Sequence, residues 1–286
     1  PITGLSQASK RPDQYIGIHF FSPVDKMPLV EVIVGRRTSL ATLARALDYV
    51  AQLKKTPIVV NDSRGFYTSR VIGTFTSEGQ AMLAEGIAPA LIENAAKLAG
   101  FPVGPLAVSD EVTLELQWKI LRQAEQDLAA RFQRPVGYAV LEKMIALGRL
   151  GRRQGGGYYD YPQDGPKRLW AGLSGHWPVR EDQPPVEELV KRFLFIEAIE
   201  SVRCLDEGVI THPADADLGS VLGIGYPAWT GGALSWIETV GLDAFVAECA
   251  RLARFYGPRF KPPRSLKKRA AAGTRFYPLP GPGQAA

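Results

Sequence analysis

Between residues 15 and 60 the chain alternates short apolar runs with breaks, and each run has the length of a strand. Residues 15–21 and 29–34 are rich in β-branched, aromatic and aliphatic side chains, and the Ser22-Pro23 and Met27-Pro28 steps interrupt the backbone between them. Residues 57–60 form a third such run. Before it, Leu40, Leu43, Ala44, Leu47 and Val50 recur at helical spacing. Ser39 stands where a helix N-cap belongs, and Lys54 and Lys55 stand at the end that favours cations. Strand, strand, helix, strand is the closing part of an α/β domain, expected over residues 1–61.

From Gly65 the period becomes helical. A first helical domain is expected over residues 62–161, a linker rich in Gly, Pro and Arg over 162–185, and a second helical repeat over 186–286. The repeat is read from an offset of 122 residues, which carries Arg70, Glu78, Leu83, Glu85 and Gly86 onto Arg192, Glu200, Leu205, Glu207 and Gly208. Phe101-Pro102 finds its counterpart in Tyr226-Pro227 after short insertions. A period this long is a duplicated domain, not a solenoid.

Composition narrows the class. Of 286 residues, 45% are hydrophobic and 22% charged, which suits a globular chain with room for more than one domain. No apolar run reaches 18 residues and no secretory signal opens the chain, so no transmembrane segment is expected. Cys204 and Cys249 lie in helical segments without metal-ligand spacing and are expected as free buried thiols; no metal site is predicted. The net charge of +5 arises in the tail: residues 251–286 hold nine Lys or Arg and no acid, leaving 25 basic against 29 acidic residues before them. That confinement argues against nucleic acid as a partner and for a solvated basic end.

The chemistry sits in the first two strands. If they are neighbours, they carry His19 and Glu31 side by side. An imidazole exchanges a proton near neutral pH, and a carboxylate on its other nitrogen fixes the tautomer and stabilises the imidazolium. The segment His-Phe-Phe-Ser-Pro at residues 19–23, followed by Leu-Val-Glu-Val at 29–32, resembles the active-site strand pair of the L-3-hydroxyacyl-CoA dehydrogenase family. Ser22 to Met27 is similar to the α subunits of multifunctional fatty-acid oxidation complexes. Residues 65–71 (Gly-Phe-Tyr-Thr-Ser-Arg-Val) resemble the family's Gly-Phe-x-x-Asn-Arg motif, and residues 101–105 with Asp110 its Gly-x-Pro-x-Gly-Pro…Asp motif. Gly157-Tyr158-Tyr159-Asp160-Tyr161 resembles the family's Gly-Lys-Gly-Phe-Tyr ending of that domain, and the resemblance covers nearly all of the chain.

By this resemblance His19 is the general base and Glu31 its partner, Ser69 contacts substrate where many members have Asn, and Ser22 lies near the nicotinamide. The implied fold is an α/β remnant of a Rossmann-type NAD-binding domain followed by two tandem helical 3-hydroxyacyl-CoA dehydrogenase C-terminal domains. The implied activity is NAD-dependent oxidation of L-3-hydroxyacyl-CoA to 3-ketoacyl-CoA in β-oxidation, within a hydratase/dehydrogenase protein whose partner is a thiolase (acetyl-CoA acyltransferase) subunit. The implied location is the bacterial cytoplasm, or the mitochondrial matrix in a eukaryote. The Gly-x-Gly-x-x-Gly turn that cradles the NAD pyrophosphate is absent, so the chain is expected to begin downstream of it and not to bind NAD alone. Two other readings stand beside this one: a helical interaction or dimerisation fragment without activity, and a monofunctional 3-hydroxybutyryl-CoA dehydrogenase.

Overall fold

The first 61 residues fold as their apolar pattern dictates. A computed structural model describes residues 1–278. After a short helix α1 (Ile2–Ser6), strands β1 (Gly17–Phe20), β2 (Leu29–Val34) and β3 (Thr56–Asn61) form one sheet in that order, β1 antiparallel and β3 parallel to β2. Strand β1 starts later than the apolar run because the Tyr15 carbonyl accepts from Thr38 Oγ1 at 2.6 Å instead of pairing in the sheet. The central strand β2 is buried from Leu29 to Ile33, which explains its continuous apolar run and makes its one acid, Glu31, costly unless hydrogen-bonded.

Helix α2 (Leu40–Gln52) joins β2 to β3. Its N-cap is Ser39, whose Oγ accepts from Thr42 N at 3.2 Å, and its Ala46 and Val50 pack on Val30 and Val32. Lys55, expected as a helix-end cation, instead donates from Nζ to the carbonyls of Val24 (2.6 Å) and Met27 (2.7 Å). It therefore fastens the loop that follows His19.

Beyond β3 the chain is mainly helical: α3 (Thr68–Ala84), α4 (Pro89–Ala99), α5 (Pro105–Val112), α6 (Leu114–Leu128) and α7 (Tyr138–Ala146). A two-stranded ladder of β4 (Tyr159–Asp160) and β5 (Arg168–Leu169) and a short α8 (Leu173–His176) follow. Then come α9 (Val186–Asp206), α10 (Pro213–Leu218), α11 (Ala233–Val240), α12 (Leu242–Tyr256) and α13 (Arg264–Ala272). Gly273, at φ +63°, ends α13 short of the aromatic pair Phe276-Tyr277.

The chain divides into two compact units whose boundaries fall inside α3 and α9: Pro1–Ile72 with the chain from Phe195 onward, and Gly73–Leu194. The second unit is centred on Phe75, stacked on Phe101 at 4.5 Å and tilted against Phe193 at 5.0 Å. In the first unit the helical core is centred on Phe195, stacked 4.4 Å from Phe245 and edge-on to Trp236 at 5.0 Å. Cys204 and Cys249 are buried free thiols, and burial pushes the Cys249 thiol up to about 12. Among the described residues no helix is long and apolar enough to cross a membrane, and no cluster of three His, Cys, Asp or Glu side chains is placed to hold a metal.

Candidate active site

The register of β1 against β2 sets His19 directly opposite Glu31. Their side chains meet, with His19 Nδ1 2.7 Å from Glu31 Oε2. Glu31 is fully buried, while about a third of the His19 side chain is exposed. The carboxylate therefore occupies Nδ1 from the protein side and leaves Nε2 as the nitrogen available to a ligand.

A buried carboxylate needs donors, and the start of α3 supplies them. Glu31 Oε1 accepts from Tyr67 N at 3.1 Å and from Thr68 N at 3.0 Å, and Oε2 accepts from Thr68 Oγ1 at 2.5 Å. These are the unsatisfied N–H groups of a helix N-terminus, where the helix dipole also favours negative charge. Glu31 caps α3 from another element. The turn that aims those groups has Gly65 at φ +78° and Phe66 at φ +50°, the second a conformation that a side chain with a Cβ adopts at a cost of about 1–3 kcal/mol. Strain of that kind at the mouth of a site is retained when the surrounding contacts fix it. Phe21 and Phe66 flank the imidazole, at ring distances of 4.7 and 6.1 Å.

The second sequence copy supports this arrangement from below. Tyr67 OH donates to Ala216 O at 2.8 Å and lies 3.0 Å from Ser201 Oγ, and burial pushes its hydroxyl well above the usual tyrosine range. A turn at Gly219–Gly223 lies against the sheet so closely that a Cβ on Gly219 would stand 2.8 Å from Ile58 Cδ1 and 2.9 Å from Tyr67 Cε1. Only glycine allows that approach.

Of the four residues singled out from sequence, His19 and Glu31 are in contact. Ser69 lies exposed in the first turn of α3, next to Thr68, and Ser22 lies exposed two residues beyond β1. Neither hydroxyl touches the His-Glu pair. Sequence reasoning missed Thr68, Lys55 and the two phenylalanines. Thr68 had a signal: a hydroxyl residue opening an amphipathic helix, beside a buried acid in need of donors. His176 lies between Trp170 (5.6 Å) and Trp177 (6.0 Å), as a packing residue does.

Residues 1–63 match the family described as 3-hydroxyacyl-CoA dehydrogenase, NAD binding domain, and residues 65–161 match 3-hydroxyacyl-CoA dehydrogenase, C-terminal domain. The fatty acid oxidation complex subunit alpha of Shewanella sp. (strain MR-4) is 38% identical over 97% of this chain. The match takes in 40% of that protein, so the chain spans about two fifths of the length of such curated relatives. A 3-hydroxybutyryl-CoA dehydrogenase of Escherichia coli K12 has the same fold, with a TM-score of 0.76 over 95% of this chain and 73% of its own, at 21% identity. An (S)-3-hydroxybutyryl-CoA dehydrogenase from Ralstonia eutropha aligns over 57% of each chain at 36% identity and a TM-score of 0.53. The chain belongs to the 3-hydroxyacyl-CoA dehydrogenase family, with its NAD-binding domain matched at residues 1–63 and its helical C-terminal domain at 65–161.

Proposed function

We propose that the chain carries the proton-transfer centre of an NAD-dependent L-3-hydroxyacyl-CoA dehydrogenase that works in fatty-acid β-oxidation as part of a multifunctional protein. The observation that carries this reading is the 2.7 Å contact between partly exposed His19 and fully buried Glu31. With Nδ1–H donating to Glu31, Nε2 holds a lone pair and takes the proton from the C3 hydroxyl of the substrate. NAD, when bound, would supply the hydride acceptor for C3; loss of the hydroxyl proton to His19 and of the C3 hydride turns the carbinol into a ketone and leaves the thioester untouched. The imidazolium that forms is stabilised by Glu31, whose own geometry is held by Tyr67 N, Thr68 N and Thr68 Oγ1. Phe21 and Phe66 restrict water on either side of the ring.

In this reading Ser69 donates to the substrate carbonyl and Ser22 contacts the nicotinamide end of the cofactor. The residues present fit only that end, because no Gly-x-Gly-x-x-Gly turn occurs in the sequence to hold the pyrophosphate. A thiolase subunit is the matching partner, since cleavage of a 3-ketoacyl thioester is the reaction that consumes the product, and the bacterial cytoplasm is the matching compartment.

The test is turnover of 3-hydroxyacyl-CoA by the intact protein that contains this chain. His19→Ala is expected to lower kcat by about 10² to 10⁴ and to spare any enoyl-CoA hydration. Glu31→Gln is expected to act in the same direction and to combine with His19→Ala less than additively. Turnover near wild type in His19→Ala would end the assignment.

A further inference from the structure

The basic tail has a use that the dehydrogenase reading leaves unexplained. A groove of about 610 Å³ runs between α12 and α13, lined by the cations Arg254, Lys261, Arg264 and Lys267 and floored by Ala250 and Ala253. Its walls are fixed. Leu252, Phe260 and Leu266 are fully buried beneath it, Ser265 Oγ donates to Asp206 Oδ2 at 2.5 Å, and Arg203 Nη2 donates to Arg259 O at 2.9 Å.

The cations of the tail are used in two different ways. Arg251 pairs with Glu248 at 2.8 Å and Arg275 with Glu238 at 2.7 Å, while Arg259 and Arg269 donate to the carbonyls of Tyr256 and Arg275. The charged heads of the four groove cations form no ion pair or hydrogen bond with a described residue; Arg254 lies over the Phe255 ring at 5.1 Å, and all four residues are exposed. Four like charges converging on one concavity repel one another in the folded protein, and a bound polyanion relieves that repulsion. Two of them are guanidinium forks that match phosphate oxygens two at a time. The volume is that of a small-molecule site, and the alanine floor admits a flat apolar group next to the charges.

We propose that this groove binds a small soluble ligand carrying two or more phosphates. A concave site of this size, with alanines between its cations, suits such a ligand better than the flat face of a membrane.

Calorimetric titration of the 286-residue chain with inorganic pyrophosphate and with adenosine 3′,5′-bisphosphate tests this. Saturable binding to one site is expected. The double change Lys261→Glu/Arg264→Glu is expected to weaken it by at least about tenfold, the usual worth of one charge-assisted contact. Ala253→Trp keeps every charge and fills the groove, and is expected to weaken binding as much. Arg36→Glu/Arg37→Glu, at exposed positions after β2, is expected to leave it unchanged. Thermal melts confirm that each variant is folded. The proposal is overturned by the absence of saturable binding, by an unchanged affinity in Ala253→Trp, or by equal weakening in the Arg36/Arg37 variant, which marks diffuse charge. It is also overturned if only vesicles of anionic phospholipid bind.

Discussion

Arg70 and Arg192 stand 122 residues apart at equivalent positions of the duplicated sequence, and each is held by two glutamates of the other copy. Arg70 gives Nε and Nη2 to Glu200 at 3.0 and 2.6 Å and Nη1 to Glu207 at 2.5 Å. Arg192 gives Nε and Nη2 to Glu78 at 2.7 and 2.6 Å and Nη1 to Glu85 at 2.6 Å. The match holds atom by atom, and it extends further. Asn61 Nδ2 donates to Gly208 O at 2.7 Å, and its counterpart Gln183 Nε2 donates to Gly86 O at 3.1 Å. Glu93 accepts from Leu106 N and Tyr159 OH as Asp217 accepts from Leu234 N and Tyr277 OH. Asp110 takes the N–H groups of Tyr158 and Tyr159, and Glu238 those of Phe276 and Tyr277. The polar framework is preserved in both copies, while the first helix differs at two hydroxyl positions: where the first copy has Thr68 and Ser69, the second has Val190 and Lys191.

The largest difference between the copies lies in burial. The Arg192 side chain is 1% exposed, with Glu78 wholly buried and Glu85 34% exposed, whereas the Arg70 side chain is 18% exposed, with Glu200 at 11% and Glu207 at 55%. Removing one partner of a buried ion pair strands the other charge. Arg192→Met is therefore expected to cost about 3–5 kcal/mol in urea unfolding. Arg70→Met is expected to cost about 1–2 kcal/mol, between the buried and exposed limits. Equal costs, or the reverse order, would mean that solvent does not distinguish the two triads.

A second contrast separates Asp110 from Glu238. Glu238 has Arg275 against it, at 2.7 Å. Burial pushes the Asp110 carboxyl up to about 6, against the pull of its donors Tyr158 N, Tyr159 N and Tyr161 OH. An unfolded aspartate titrates near 3.9, so the folded state holds this proton more tightly. Its contribution to stability is fully present below about pH 4 and is lost as pH rises through about 6, a change on the order of 3 kcal/mol. Asp110→Asn cannot ionise and leaves one amide N–H₂ facing a backbone donor. It is expected to be less stable throughout by about 1–3 kcal/mol, and to lack that slope when urea midpoints are compared between pH 4 and 7. An unchanged slope would assign the pH dependence to other groups.

Much of this was legible in the chain because short apolar runs and proline breaks are local signals. The second strand at Leu29–Val34, the Ser39 cap and the pairing of His19 with Glu31 needed nothing beyond neighbouring residues. The five offset matches identified the arginines and glutamates as equivalent, yet not that each arginine reaches the other copy, since sequence order carries no information on exchange. The tail's charge pointed to a solvated basic end, whereas the contacts of Phe276 and Tyr277 with Glu238 run through backbone N–H groups, which leave no trace in residue type. The donors to Glu31 were hidden for the same reason. Two of the three are backbone amides at the start of α3, and the third is the Thr68 hydroxyl.

Thr68 gives the finest test of the comparison, because one hydroxyl separates it from Val190 of the second copy. Its Oγ1 shares Glu31 Oε2 with the His19 ring, so it fixes the carboxylate oxygen on which the imidazole depends. Thr68→Val keeps the shape and both backbone donors and removes only that bond. One hydrogen bond to a charged group is worth about 1.5–3 kcal/mol, part of which the remaining donors retain, so a loss of roughly tenfold in kcat is expected with KM little changed. Thr68→Ser restores the hydroxyl and is expected to restore kcat to within about twofold of wild type. Val190→Thr places a hydroxyl at the equivalent position with no Glu31 to receive it, and is expected to leave turnover unchanged and to alter stability by less than about 1 kcal/mol. A drop in kcat that serine does not rescue would assign Thr68 to packing at the start of α3 rather than to positioning of the base pair.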